Sequence, residues 1–173
     1  MPKLTLDRYL QIAMGVLAVL LIFAIYTPLH ETLVQVGDNA PDFSIKTDDG
    51  RVLTRADFGG KVLILNFWAT WCPPCREELP SLDALQRTLG PKGLVVLGIS
   101  VDTDEKVYRD FLARNQLAIT TARDPEQKIN HAYGTVKFPE SYIIDRNGKV
   151  VEKIISGTPW MAERMIKSVE SML

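Results

Sequence analysis

The feature that most limits how this chain can fold is an uncharged apolar run near its amino terminus. The run extends from Tyr9 to Tyr26 (YLQIAMGVLAVLLIFAIY), and Gln11 is its one strongly polar residue. As a helix it would extend roughly 27 Å, about the thickness of the hydrocarbon core of a bilayer. A helix without a polar face is not expected on the surface of a globular domain. The run therefore predicts a transmembrane helix, and any globular domain must form from the residues after it.

The basic residues around this run predict its orientation. Lys3 and Arg8 precede the run, whereas the next basic residue after it is Lys46. Because cytoplasmic flanks carry the excess of basic residues, the amino terminus is expected in the cytoplasm. A cleaved signal peptide is the alternative, but its apolar region is usually shorter, and Ala24-Ile25-Tyr26 does not form a small-x-small cleavage site. We expect a single-pass protein of the cytoplasmic (inner) membrane with an extracytoplasmic, periplasmic domain.

This interpretation divides the chain of 173 residues into four parts. The parts are a cytoplasmic amino terminus (1–8), a transmembrane signal-anchor (9–28), a tether (29–36) and one globular domain (37–173). The chain has 20 Lys and Arg against 21 Asp and Glu, a net charge of −1. Such a balance provides no attraction to a nucleic-acid backbone, so nucleic acid is excluded as a partner.

Apolar runs and helical segments alternate along the globular part. Val62–Trp68 (VLILNFW) and Leu94–Val101 are continuous apolar runs, as in strands that are covered on both faces. Helices are predicted from Cys72 to Leu89 and from Asp104 to Asn115, and this order predicts parallel strands with right-handed crossovers. The expected fold is α/β, a central mixed sheet flanked by helices. The remaining predicted elements are a leading β-hairpin (43–46 and 52–53), a strand near Ile119, a short helix (127–133), a hairpin (141–145 and 149–155) and a last helix (160–172).

The chain has only two cysteines, and they lie where the first buried strand passes into a helix. A thiol at the N-cap of a helix faces free backbone N–H groups and the positive end of the helix dipole, which favour its thiolate. Cys72 is therefore the expected nucleophile. Cys75, one turn later, is placed to resolve a mixed disulfide that Cys72 forms. Such a pair needs no cofactor other than its own redox-active disulfide, which persists outside the cytosol.

A zinc half-site and a purely structural disulfide are the alternatives for the cysteine pair that involve no redox chemistry. A zinc half-site would need two further ligands, and the chain has only His30 and His131 as histidines. No metal site is expected. A purely structural disulfide would close a very small loop and contribute little stability. It would also leave the position between strand and helix unexplained.

Several segments together resemble the thioredoxin superfamily, and more closely its membrane-anchored branch, the TlpA/ResA/CcmG (DsbE) thiol-disulfide oxidoreductases. The resemblance extends from Gly37 to Leu173. It implies a thioredoxin-like fold and an enzyme that exchanges thiols and disulfides. The segments that carry it are Gly37–Phe43 (GDNAPDF), Asp57–Lys61 (DFGGK), Val62–Pro80 with Trp-Cys-Pro-Pro-Cys at its centre, and Phe138–Asp145 (FPESYIID).

The resemblance implies further catalytic residues. Pro139 takes the place of the family's cis-proline, which lies against the active cysteines. Glu78 takes the place of a functional acid three residues after the second cysteine, and helix geometry agrees, because residues three apart share a face. A solvent-exposed glutamate without such a role is the alternative. Asn66 stands where ordinary thioredoxins have a buried Asp, and since an amide cannot act as a base, proton handling shifts toward Glu78 and water.

The same resemblance implies a substrate-binding surface. Trp71 and Pro73 flank the expected nucleophile. The backbone of Phe138 would offer strand-like hydrogen bonds to an extended polypeptide. Glu140 resembles the Pro-Glu of the cytochrome c maturation members, although Lys137 stands where many relatives have Gly. The implied substrates are exported polypeptides such as apocytochrome c, with a transmembrane thiol reductant of the DsbD/CcdA kind as electron donor.

Two other functions are open alternatives. Ala40–Phe43 also resembles peroxiredoxins, which would make the chain a membrane-tethered peroxidase, but Ala69 stands where those proteins have Thr. A copper-delivery module of the Sco type is the second alternative, although its cysteines are further apart and joined by a His. The prolines favour a reductase instead. Pro74 has no N–H, so the Cys72 thiolate would lose one stabilising amide, and this makes the disulfide form easier to keep.

Overall fold

The computed structural model describes residues 6–29 and 33–173, and these fall into two units. The first unit is helix α1 (Leu6–Leu29). Within it, Asp7–Ala24 is long and apolar enough to cross a membrane, which makes α1 a candidate membrane anchor. Lys3, on which the predicted orientation depends, and residues 30–32 of the predicted tether lie outside the described residues.

The second unit contains a two-stranded and a five-stranded sheet, with helices flanking the larger one. The mixed sheet that the sequence predicts is present. The strands are β1 (Ser44–Lys46), β2 (Val52–Thr54), β3 (Val62–Trp68), β4 (Leu94–Ser100), β5 (Thr120–Arg123), β6 (Glu140–Ile144) and β7 (Val150–Ile155). The helices are α2 (Pro73–Leu89), α3 (Glu105–Asn115), α4 (Lys128–Tyr133) and α5 (Glu163–Glu170), with 3₁₀ turns at Arg55–Phe58 and Gly90–Lys92.

Strand β3 lies at the centre of the large sheet, whose order is β5-β4-β3-β6-β7. It pairs in parallel with β4 and antiparallel with β6, where Leu63 lies opposite Ile144. All seven residues of β3 are buried, as its unbroken apolar sequence predicts for a strand covered on both faces. Helix α2 forms the crossover between β3 and β4, so the predicted parallel unit is confirmed.

Side chains of β3 alternate between two cores, one on each face of the sheet. Ile64 and Trp68 pack on the face that holds Leu79 of α2 and Trp160. The opposite core contains Phe67 together with the aromatic residues Phe43, Tyr133 and Tyr142. The cysteine pair belongs to the first core, so the chemistry of this protein lies on the α2 face of the sheet.

Two predicted boundaries differ from the structure. The last helix begins at Glu163 and not at Trp160, because Trp160 is fully buried and a turn closed by the Ala162 N–H on the Pro159 carbonyl precedes the helix. Strand β5 begins after Ile119, whose N–H donates to Asp83 Oδ1 of α2 at 3.1 Å. In both places the local sequence pattern assigns a residue to the helix or strand, but a contact with a distant part of the chain holds that residue outside it.

Candidate active site

The cysteine pair lies at the start of α2, directly after the loop that follows β3. Cys72 is the N-cap residue, with extended backbone angles, and Pro73 and Pro74 occupy the first two helical positions. Prolines fit there because the first amides of a helix have no intrahelical partner. The Cys75 N–H donates to Cys72 Sγ at 3.3 Å. The predicted N-cap position of Cys72 is therefore confirmed.

Cys72 and Cys75 form a disulfide, with their Cα atoms 5.3 Å apart. Cys75 is fully buried, whereas Cys72 keeps 5% of its surface exposed. An external sulfur atom therefore has a path to Cys72 and none to Cys75 without movement. This difference supports the predicted order, in which Cys72 attacks and Cys75 resolves.

A buried carboxylate holds the loop that precedes Cys72. Asp102, at the carboxyl end of β4, accepts hydrogen bonds from the Thr70 N–H at 2.9 Å and the Thr70 hydroxyl at 2.7 Å. Ser100 donates to the same carboxylate at 2.6 Å. Asp102 is not among the site residues predicted from the sequence. Its position could have indicated a role, because Asp102 and the cysteines both follow the carboxyl ends of neighbouring parallel strands, β4 and β3.

The loop before β6 lies beside the dithiol, and its Phe138–Pro139 peptide bond is cis, as the resemblance implies. The rings of Phe138 and Trp71 meet edge to face, with centroids 5.9 Å apart. Trp71 is 63% exposed and Pro73 is also exposed, so both border the disulfide from the solvent side. Within residues 6–29 and 33–173, neither the N–H nor the carbonyl of Phe138 has a hydrogen-bond partner. These backbone groups can pair with an extended peptide.

Glu78 is buried on α2, which removes the alternative of a solvent-exposed glutamate. Its carboxylate accepts hydrogen bonds from Asn66 Nδ2 and from the Thr158 N–H, both at 2.9 Å. Burial raises the pKa of Glu78 to about 7, and these hydrogen bonds act in the opposite direction. A carboxyl group with this pKa can both take up and release a proton near neutral pH.

Glu140 lies on the other face of the sheet from Glu78. Its side chain is 1% exposed, forms an ion pair with Lys153 at 3.0 Å and accepts a hydrogen bond from the Tyr142 hydroxyl. The structure thus places the carboxylate in a buried pair and away from solvent, because successive side chains of β6 point to opposite faces. Its binding of substrate stays a prediction.

In the part of the chain that the structure describes, no group of three or more His, Cys, Asp or Glu side chains could hold a metal ion. His131 is exposed on α4. His30, the other potential zinc ligand in the sequence, lies outside the described residues. The arrangement around the cysteines suits thiol-disulfide chemistry. It consists of Cys72 at the N-cap of α2, its buried disulfide partner Cys75, and Glu78, an acid with a pKa near neutrality.

Comparison with known proteins agrees with this chemistry. A model of the AhpC/TSA family matches residues 36–153. The thiol-disulfide oxidoreductase ResA of Bacillus anthracis is 36% identical over 122 residues, 70% of each chain. The thioredoxin-like protein YneN of Bacillus subtilis is 36% identical over 153 residues, which cover 83% of this chain and 88% of YneN.

The fold has solved counterparts as well. A crystal structure from Chlorobium tepidum, provisionally described as a thiol:disulfide interchange protein DsbE, superposes with a TM-score of 0.75 and 33% identity. The superposition covers 80% of this chain and 98% of that one, and it confirms the thioredoxin-like fold. The chain therefore belongs to the AhpC/TSA family and is a thiol-disulfide oxidoreductase of the ResA and DsbE type, with Cys72 and Cys75 as its cysteine pair.

Proposed function

We propose that this enzyme reduces disulfides in exported proteins from the outer face of the cytoplasmic membrane, where α1 holds it. The observation that carries the direction of the reaction is the hydrogen bond from the Cys75 N–H to Cys72 Sγ, the one such bond that this sulfur receives from the described residues. Pro74 has no N–H to add a second one. A weakly stabilised thiolate gives up its electrons readily. The reduction potential should therefore lie closer to that of thioredoxin, about −270 mV, than to that of the strong oxidant DsbA, about −120 mV. Arg76, exposed on the next turn, opposes this effect.

In the proposed reaction the Cys72 thiolate attacks one sulfur of a substrate disulfide, and the other substrate sulfur leaves as a thiolate. The product is a mixed disulfide between Cys72 and the substrate. Cys75 then transfers its proton to Glu78 and attacks Cys72 Sγ. The mixed disulfide breaks, the reduced substrate departs, and the Cys72–Cys75 disulfide of this structure is formed.

The proposed substrates are unfolded or extended polypeptides. The free backbone groups of Phe138 and the exposed ring of Trp71 support this proposal, because a strand-like peptide can pair with the first and pack on the second. Apocytochrome c before haem attachment is the substrate we propose, on the resemblance of Pro139-Glu140 to the cytochrome c maturation branch. Each turnover consumes two electrons, for which we propose a transmembrane thiol reductant of the DsbD/CcdA kind.

The reduction potential tests the proposed direction. The full chain in detergent micelles would be equilibrated with defined thiol/disulfide buffers, and tryptophan fluorescence would report the redox state. A Trp71→Phe variant identifies the reporting residue, since Trp68 and Trp160 are fully buried. A potential near about −250 mV or below supports a reductase, and one above about −150 mV contradicts it.

The proposed substrate needs a separate experiment. Reduced enzyme would be mixed with oxidised apocytochrome c and with an unrelated unfolded protein that contains one disulfide. We expect reduction of apocytochrome c to be at least about tenfold faster, a difference of roughly 1.4 kcal/mol in transition-state stabilisation. Equal rates would remove apocytochrome c as the preferred substrate and leave a general reductase.

The membrane location is tested by fusing alkaline phosphatase to the carboxyl terminus. The phosphatase is active only outside the cytoplasm, because it needs its own disulfides. We expect an active fusion that stays with the membrane fraction at high pH. An inactive fusion would reverse the proposed orientation, and an active but soluble one would indicate cleavage after α1.

A further inference from the structure

Asn66 is the one polar residue in the apolar strand β3, and it is fully buried. A buried amide is costly unless its hydrogen-bonding groups are satisfied. Asn66 Nδ2 donates to Glu78 Oε1 at 2.9 Å and to Ser141 Oγ at 2.8 Å. Its Oδ1 atom has no hydrogen-bond partner among the described residues. The position therefore uses the amide as a donor, a role that the acceptor-only carboxylate of an ionised Asp cannot fill.

The two acceptors belong to different parts of the site. Glu78 shares a face of α2 with Cys75. Ser141 lies directly opposite Asn66 in the sheet, two residues after Pro139. One amide thus connects the acid of α2 with the strand that follows the cis-proline.

We propose that Asn66 is a positioning residue for Glu78: its amide holds the carboxylate on the Cys75 side of α2 and favours the ionised form that accepts the Cys75 proton. This inference rests on the proton transfer described under the proposed function. Asn66 itself exchanges no proton and touches no reacting sulfur in that step. Its contribution is the orientation and charge state of the acceptor.

The groups around Glu78 support this role. Besides Asn66, the Thr158 N–H donates to the carboxylate, and the Trp160 indole N–H favours its charge from outside hydrogen-bond geometry. Cys75 is the titratable group on the same helical face, and Ser141 approaches from β6 through Asn66. No ion pair involves Glu78 in the described residues, so neutral donors alone offset its burial.

The resolution step can be followed by itself in the full chain in detergent. Reduced enzyme reacts with an aromatic disulfide that releases a coloured thiol twice, first when Cys72 attacks and then when Cys75 resolves the mixed disulfide. The rate of the second release is measured as a function of pH. In the unmodified chain we expect it to rise with a midpoint near 7, as Glu78 ionises.

Asn66→Leu keeps the branched shape of the side chain, in a larger volume, and removes both donors. We expect the midpoint to move upward by about one pH unit or more, and the second release at pH 7 to slow several-fold to about tenfold, with the first release unchanged. Asn66→Ala is the second variant should the leucine chain not fold. It removes the donors and adds no acid or base, so it should also raise the midpoint.

Asn130 provides a matched control. It is another buried asparagine whose Oδ1 has no partner in the described part of the chain, but it lies on α4 and donates to Gln127 and the Thr135 carbonyl. Asn130→Leu should lower stability without moving the midpoint. A midpoint that stays in place in both Asn66 variants, or moves equally in Asn130→Leu, would overturn the proposal.

Glu78→Gln separates the proton transfer to Glu78 from the role of Asn66. We expect it to remove the rise near pH 7 and to leave only the rise that comes from ionisation of the Cys75 thiol itself, and Asn66→Leu should then cause no further change in the profile. If the Glu78→Gln variant has the same pH profile as the unmodified chain, both the proton transfer to Glu78 and the role of Asn66 are contradicted. If Glu78→Gln removes the rise but the Asn66 variants do not shift it, only the role of Asn66 falls.

Discussion

Thr70 is bound to Asp102 twice, through its backbone N–H and through its hydroxyl, one bond to each carboxylate oxygen. This pair fixes the residue two positions before Cys72 against the end of β4. Asp102 is buried, so its charge is balanced by these donors and by Ser100. The loop before the nucleophile is thus held by the sheet and does not depend on the disulfide.

Replacing Asp102 should therefore destabilise the domain. Asp102→Asn keeps the shape but replaces one acceptor oxygen by a donor, and we expect a loss of about 1 to 3 kcal/mol in the free energy of unfolding, measured by urea denaturation. Asp104→Asn is the control, because Asp104 is the exposed N-cap of α3 and Asn caps helices equally well. Equal effects of the two substitutions would show that the Thr70 contact is not important.

Trapping tests the order of the cysteines. Cys75→Ser should accumulate mixed disulfides with substrate proteins through Cys72, whereas Cys72→Ser should not, because only Cys72 has an exposed edge. Non-reducing gels and mass spectrometry would identify the species. The reverse pattern would exchange the two roles, and peroxide consumption that persists in Cys75→Ser would favour a peroxidase.

Stability should depend on pH through Glu78. Its pKa is raised from 4.5 to about 7 in the folded chain, so between these values the folded state binds more protons than the unfolded state. The free energy of unfolding therefore falls as pH rises through this window, by about 3 kcal/mol for this group. Glu78→Gln should lack that slope. Parallel curves from urea denaturation of both oxidised chains between about pH 4 and 8 would contradict the raised pKa.

Trp71 should matter for large substrates only. We expect Trp71→Ala to lower kcat/KM for an unfolded protein disulfide about fivefold or more, because an exposed aromatic anchor is lost, while a small disulfide reacts as before. Stability should change by less than about 0.5 kcal/mol. Val52→Ala is the control, since Val52 is similarly exposed on β2. A parallel loss with both substrates would assign Trp71 to the chemistry and not to substrate docking.

Local patterns predicted most of the fold, because β3 and β4 are continuous apolar runs, as strands covered on both faces require. The N-cap position of Cys72 follows from the same local pattern. The sequence could not place Glu78, since helical spacing shows which residues share a face but not whether that face is buried. The resemblance supplied the acid, and its raised pKa comes from burial, which the hydrogen bonds from Thr158 and Asn66 offset only in part.

Contacts between distant segments account for what was missed. Asp102 acts on a loop more than thirty positions earlier in the chain, and no periodicity reports such a pair. The burial of Glu140 against Lys153 follows from the alternation of β6 and its pairing with β7, which the local sequence does not show. The predicted start of the last helix at Trp160 was wrong for a similar reason, because the buried indole of Trp160 determines the path of the chain before α5 begins at Glu163.

The strand order also means that the cysteines are synthesised well before the residues that complete the active site. β3 leads through a short loop to the cysteines at the start of α2, yet one of its two neighbours is β6, which comes much later in the chain. A polypeptide that emerges amino terminus first has both thiols long before it has Pro139 and Ser141. Pairing between strands that are distant in the sequence, such as β3 and β6, forms late in folding. An unfinished chain therefore contains both cysteines but lacks the β6 residues that surround them in the folded enzyme. Only a molecule that has been synthesised past β6 can therefore have the cysteine pair in the surroundings described above.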